Sequence, residues 1–429
     1  MSSVRVALAV ACCAAPLLID AQTCPAGVPV AFVNVSVLTM DSAVLLRGRT
    51  VLTRDGKIAS IDARRLPPET CQITGVGRVL MHGLIDMHVH TSEREMPLFL
   101  ANGVTFIREM NGSPELLALR DRIRRGEVVG PRMLVASPLL VGQEVRYRHR
   151  LITSADDATA AAREAKAAGY DYLKIYDGLT RAEYDALVAA GRALNIPLDG
   201  HIPADVGLEA ALDAGQYLQH MDKIAFALAG HSNDTAQLLG KARALFAGRR
   251  AWVTPTLASL LALDEANTTA YAEWLSRPEM QYADSGSMAW WASLTGTRVR
   301  ASRSLYYQFE TSLLKLLRTT DTRFLLGTDA ANPLMVAGFS VHDELETLVR
   351  DGGFSGWEAL RSATRNVGEF LGDPLIGHVV VGAPADLLLV DGDPLANLRV
   401  LRTPVGVMAN GRWLARAQLD SMLAGAWQR

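Results

Sequence analysis

The stretch Gly83–His90, GLIDMHVH, ends in two histidines one residue apart. Successive side chains of a β-strand point to opposite faces, so His88 and His90 project together from a strand end while Val89 faces the other layer. Neutral imidazole nitrogen is a standard zinc ligand, and such a pair is half of a transition-metal site. Two ordinary polar residues leaving a strand would look the same, so their company in the chain has to decide. That company stands at the ends of other apolar runs: Lys174 in DYLKIY, His201 in PLDGHI, His220 in QYLQHM and Asp329 in RFLLGTDA. Four of the nine histidines fall at the ends of three such runs. The other five, His82, His149, His231, His342 and His378, form no such pattern.

Lys174 is the unexpected member. An ammonium cannot ligate a metal, and burying one among cations is costly unless it is neutralised or paired. A desolvated lysine loses its proton readily. The neutral amine adds CO2 to give a carbamate, an anion whose two oxygens can bridge two metal ions. A salt bridge to Asp171 or Asp177, or a side chain facing the helices, is the competing use of the same residue.

The elements that must position these residues alternate along the chain. GLIDMHVH, GVTFIREM, RMLVAS, DYLKIY, PLDGHI, QYLQHM, AWVTPTL and RFLLGTDA read as strands. Between them lie amphipathic stretches such as PELLALRDRIRRG and TRAEYDALVAAGRALN. Eight strand–helix units in succession specify an α/β fold, a (β/α)8 TIM barrel, whose working residues lie at the C-terminal strand ends. Residues 258–320 are too many for one crossover, and their Trp274, Trp290, Trp291, Tyr306 and Tyr307 point to a helical insertion between strands 7 and 8. Such an insertion would form a lid or pocket wall, or face a second subunit. Both chain ends are different in texture, with short β-branched runs and hairpin signals at Asp55-Gly56 and Asn410-Gly411. They read as one small β-sandwich built from both ends. The expected division is a signal peptide at 1–21, sandwich at 22–80, barrel at 81–372 and sandwich again at 373–429.

Composition bounds the rest. The 429 residues are enough for a large barrel plus an accessory domain, and 43 basic against 45 acidic residues give no reason to expect nucleic acid or an anionic membrane surface. Arg5 followed by the apolar run Val6–Leu18 fits a signal-peptide core better than a membrane span, with Ala21 as a small cleavage residue. A frayed apolar N-terminus is the plainer alternative. Cys12 and Cys13 would leave with the signal, so Cys24 and Cys71 would remain and could pair in an oxidising, periplasmic or secreted setting.

The chain resembles the amidohydrolase superfamily, in the branch with a binuclear site and prolidase-like or imidazolonepropionase-like sequences. GLIDMHVH, GVTFIREM, LKIY, DGHIP, QHMDK, GTDA and the C-terminal VGAPADLLLVDGDPL carry the resemblance. It implies that His88, His90 and Asp329 hold one divalent ion, that His201 and His220 hold a second, and that carbamylated Lys174 bridges them; zinc is the expected metal for these donors. It further implies hydrolysis by a hydroxide held between the ions, with Asp329 moving the proton. Substrate residues are less defined, because LVGQEVRYRH stands where relatives often carry a Gly-Gly-His-like stretch. Tyr147 and His149 in that loop, Tyr176 beside Lys174, and His231 and His342 after strands 6 and 8 are the candidates, whereas Arg148 between the first two reads better as part of an exposed basic loop. The expected activity is cleavage of a dipeptide, an N-acyl amino acid or a similar amide. Hydrolysis of a cyclic amide or lactone, deamination, and a non-catalytic metal-binding barrel remain open, as does a homo-oligomer.

Overall fold

The computed structural model describes residues 23–427 apart from 231, 233, 267, 269, 284 and 295–303; the expected signal peptide, residues 1–21, lies outside them. Each apolar run named above carries a strand: β1 (Leu84–Val89), β2 (Val104–Glu109), β3 (Arg132–Val135), β4 (Leu173–Ile175), β5 (Leu198–Gly200), β6 (Tyr217–Gln219), β7 (Trp252–Thr254) and β8 (Arg323–Phe324). β1, β2 and β3 pair in parallel, as do β4 to β8 in succession. Single parallel bridges, Ala136 to Tyr172 and Val89 to Ala330, join the two sets at both edges. This is a TIM-barrel-like α/β fold.

Every residue of β1 and β2 is buried, as strands covered on both faces must be. Their polar members, Asp86, His88, Thr105, Arg108 and Glu109, are therefore the informative residues. The connecting helices begin and end where local chemistry dictates. Ser154 caps Ala155–Ala168 by accepting from Asp157 N, and Gly169 closes it in the left-handed region at φ 88°.

Strands from both chain ends share one hydrogen-bonded sheet of eight. Arg78–His82 pairs antiparallel with Leu387–Asp391 along its whole length, and the Phe32 and Trp413 rings meet edge-on at 5.2 Å. Arg78–His82 thus belongs to the end sheet, and the chain passes to β1 at Gly83 rather than after residue 80. A Cβ at Gly83 would overlap the Thr105 side chain, so the crossing requires glycine.

Between β7 and β8 run the helices Leu257–Glu265, Tyr271–Leu275, Ser285–Leu294 and Leu305–Leu317. Trp274, Trp291 and Tyr307 are buried, so the aromatic residues of this insertion mostly pack inward. No helix among the described residues is long and apolar enough to cross a membrane.

Cys24 and Cys71 form a disulfide across 47 positions, tying the start of the chain to the end sheet. Protein lacking residues 1–21, unfolded without reductant, should titrate with no free thiol. Reduction should lower its stability by about 2–4 kcal/mol in denaturant melts.

Candidate active site

The strand ends bring the expected residues together. His88 ends β1 fully buried, and His90 follows it at the rim; both Nε2 atoms lie 3.3 Å from Asp329 Oδ1. His220 Nδ1 is 3.6 Å from Asp329 Oδ2. The ring centroids of His88 and His90 are 5.3 Å apart, those of His88 and His220 4.5 Å, and those of His220 and His201 5.2 Å. The four imidazoles are thus one contiguous group. Lys174, on β4, is 1% exposed, and its Nζ has no hydrogen-bond partner among the described residues. All six side chains line one cavity of about 730 Å³.

Asp329 reaches its neighbours because the chain after β8 is held against β1. Met87 N donates to Leu326 O (2.8 Å), Asp329 N donates to His88 O (2.8 Å), and the Asp86 carboxylate accepts from Thr328 N (3.0 Å) and Thr328 Oγ1 (2.7 Å). Gly327 permits the approach: a Cβ there would lie 2.8 Å from His88 Cβ and overlap Thr254 Cγ2. His220, Thr256 and Asp329 all have positive φ (63°, 48° and 58°). Left-handed backbone at non-glycine residues costs on the order of 1–3 kcal/mol and gathers at working sites.

Each histidine is also oriented from behind. His88 Nδ1 meets Gln219 Oε1 at 2.6 Å, His201 Nδ1 meets Asp177 Oδ1 at 3.1 Å, and His220 Nδ1 meets Thr256 Oγ1 at 2.9 Å. Glu109, fixed by Thr91 N and Asn111 N, lies 3.6 Å from His90 Nδ1. Burial holds His88 and His220 well below the ordinary histidine range and His201 down to about 4, so these three are neutral. Burial acts on His90 in the same sense, but hydrogen bonds to Asp329 and Glu109 overcome it and raise the ring to about 9. Burial lowers Lys174 to about 8.

These residues fit a metal centre by their own chemistry. Two neutral imidazoles, His88 and His220, and the His90 ring gather at one carboxylate, and His88 Nε2 is buried without a hydrogen-bond partner among the described residues. The ligand atoms of His88, His90 and Asp329 lie within 4.8 Å of one another. His90 becomes an imidazolium between two carboxylates, which marks a place where positive charge is favoured.

A sequence model of the amidohydrolase family matches residues 79–414, most of the chain. The chain belongs to the amidohydrolase family. It is a hydrolase acting on carbon–nitrogen bonds, in a family that generally uses metal ions. No curated protein sequence matches it. Among solved structures, this amidohydrolase is similar to bottromycin amidohydrolase (23% identity, TM-score 0.76, 93% of this chain and 89% of that one). It is also similar to a candidate prolidase from Bifidobacterium longum (23%, 0.70, 94% and 100%) and to an Xaa-Pro dipeptidase with methionine in its active site (17%, 0.68, 90% and 100%).

Of the expected substrate residues, Tyr147 and Tyr176 line the cavity of this amidohydrolase, and Arg148, expected on an exposed loop, lines it as well. The Tyr176 ring lies against that of His201, tilted by 31° with centroids 4.1 Å apart. His149 does not reach the cavity: its Nδ1 bonds Tyr147 O and its Nε2 Glu144 Oε2, within its own loop. His342 is buried in the helix Ser340–Arg350, away from the cavity wall. His231 lies outside the described residues. The insertion does reach the mouth, since Trp290 lines the cavity and the Arg146 guanidinium lies 4.4 Å from its ring and 4.8 Å from that of Tyr147. Arg94, Glu109 and Asp222 also belong to the polar wall, and none was singled out from sequence.

Gly327→Ala should destabilise the protein by about 1–3 kcal/mol in urea melts, since overpacking strains a close-fitted core. Thr254→Ser in the same chain removes the Cγ2 atom in the way and should recover part of that loss.

Proposed function

We propose that this protein is an exported, metal-dependent amidohydrolase that cleaves the amide or peptide bond of a small substrate such as a dipeptide or an N-acyl amino acid. Lys174 carries the reading. Its amine is buried and unpartnered on a cavity wall that also holds four histidines and Asp329. As an ammonium it would be a costly buried charge, whereas a carbamate there is an anion facing imidazoles. His88, His90 and Asp329 would hold one divalent ion, His201 and His220 a second, and carbamylated Lys174 both. Zinc suits this set of nitrogen and oxygen donors.

Ions bound there supply Lewis acidity toward a carbonyl and make water acidic enough to attack near neutral pH. Asp329, whose Oδ2 accepts from Asn332 Nδ2, would take a proton during attack and return it to the leaving nitrogen. Tyr147, Tyr176, Arg94, Arg148 and Trp290 would orient the substrate in a cavity of dipeptide size. The Xaa-Pro dipeptidase among the fold relatives supports a peptide bond as the target. Closure of the eight parallel strands into a (β/α)8 barrel, with the end sheet folded as a sandwich, is the architecture this reading uses. The apolar run Val6–Leu18 and the Cys24–Cys71 disulfide support the periplasm or the cell exterior as its place of work.

Lys174→Ala should lose most bound metal and nearly all amide hydrolysis, and added acetate should restore part of the turnover. Lys174→Arg keeps the positive charge but forms no carbamate, so it should be folded, metal-poor and inactive. Elemental analysis beside a dipeptide and N-acyl amino acid screen reads both. A folded, fully metallated and active Lys174→Arg protein would overturn the reading.

A further inference from the structure

Behind His88 lies a file of buried polar side chains. His88 Nδ1 is 2.6 Å from Gln219 Oε1, and Gln219 Nε2 donates to Asp199 Oδ1 at 2.5 Å. Arg108 donates through Nη1 to Asp199 Oδ2 and through Nε to Met87 O at 2.8 Å. None of the four side chains is more than 1% exposed. We propose that Arg108, Asp199 and Gln219 are positioning residues that fix the tautomer of His88, leaving its Nε2 lone pair directed at the place of a cation. The proposal rests on His88 holding that cation, as read above.

Each link allows one choice. A guanidinium donates and keeps its proton, so Asp199 Oδ2 must accept. A neutral acid beside Arg108 would leave a buried cation uncompensated, so the carboxylate is the form that the pair retains. A carboxylate only accepts, so the amide of Gln219 must turn its nitrogen toward Asp199 and its oxygen toward His88. An acceptor at 2.6 Å requires a proton on His88 Nδ1, and a neutral ring then has none on Nε2. That bare nitrogen lies 3.3 Å from Asp329 Oδ1, without a hydrogen-bond partner. Two lone-pair atoms at that distance are satisfied by a positive charge between them. Arg108 is itself held in place, 5.1 Å from the Tyr172 ring and 5.3 Å from that of Phe370. The hydroxyl behind His220 can donate or accept, so it enforces no such choice.

Histidine side-chain ¹⁵N NMR on metal-stripped protein tests the relay without reference to turnover. Wild-type His88 should show the proton on Nδ1. Asp199→Asn is nearly isosteric, but its amide must give oxygen to Arg108 and nitrogen to Gln219, which reverses the glutamine. The His88 proton should then move to Nε2, and metal affinity, read by competition with a chromophoric chelator, should fall about 10–100-fold. The double variant Arg108→Met/Asp199→Leu removes both charges together, leaving neither unpaired if the single variant fails to fold. It should show both His88 tautomers and a similar loss of affinity. Wild-type His88 protonated on Nε2, or an unchanged tautomer with undiminished affinity in folded Asp199→Asn, would overturn the relay while leaving the metal reading intact. Wild-type protein that shows the expected tautomer yet takes up no metal would overturn that underlying reading instead.

Discussion

Asp329 is one carboxylate shared by three imidazoles, and the architecture is largely a means of placing it. A side chain cannot lie 3.3 Å from both His88 and His90 and 3.6 Å from His220 unless the chain after β8 is locked to β1. Backbone bonds on either side of His88, the Asp86–Thr328 contacts and the missing side chain of Gly327 supply that lock. Burial raises the Asp86 carboxyl to about 7, so this tie is made by a group that has surrendered much of its solvation. The strained backbone at Asp329 and His220 is sustained by the same packing.

What the sequence revealed and what it hid divide along a physical line. The strands were legible because apolar runs bounded by turns survive translation into a buried parallel sheet. The six residues that meet in the cavity were legible because each is a polar group within or at the end of such a run. Lys174 in particular had to be explained once its run was read as buried. Arg108, Asp199 and Gln219 were equally anomalous inside buried strands. Their significance lies in who faces whom across strands, and spacing along one chain does not encode that pairing. Glu109 was hidden for the same reason: it serves His90 from the neighbouring strand.

The loop carrying Tyr147 and His149 shows where alternation fails. These residues are two apart, and on a regular strand they would share a face. The structure puts Tyr147 at the cavity and turns His149 back onto the Tyr147 carbonyl and Glu144, because the short strand His149–Leu151 begins only there. The boundary at Gly83 was displaced for a related reason. Arg78–His82 and Leu84–Val89 form a nearly continuous apolar run, and only the Thr105 side chain against Gly83 shows where one sheet gives way to the next.

The polar interior has an energetic consequence for the order in which this protein is assembled. Arg108 and Asp199 are a fully buried ion pair, and such pairs are weak sources of stability compared with apolar packing of the same volume. Lys174 and His88 each keep a polar atom without a hydrogen-bond partner. A core carrying these groups is less stable than an apolar one would be, and the compensation has to come from elsewhere in the chain. It is available in the aromatic packing below the site, where Tyr172, Tyr217 and Trp252 surround Phe370, and in the end sheet closed by its disulfide. Phe370 belongs to a helix that follows β8, so the plug under the site arrives from the last part of the barrel. The polar file is therefore sealed only when β8 and the helix after it are in place, the same step that delivers Asp329 to the histidines.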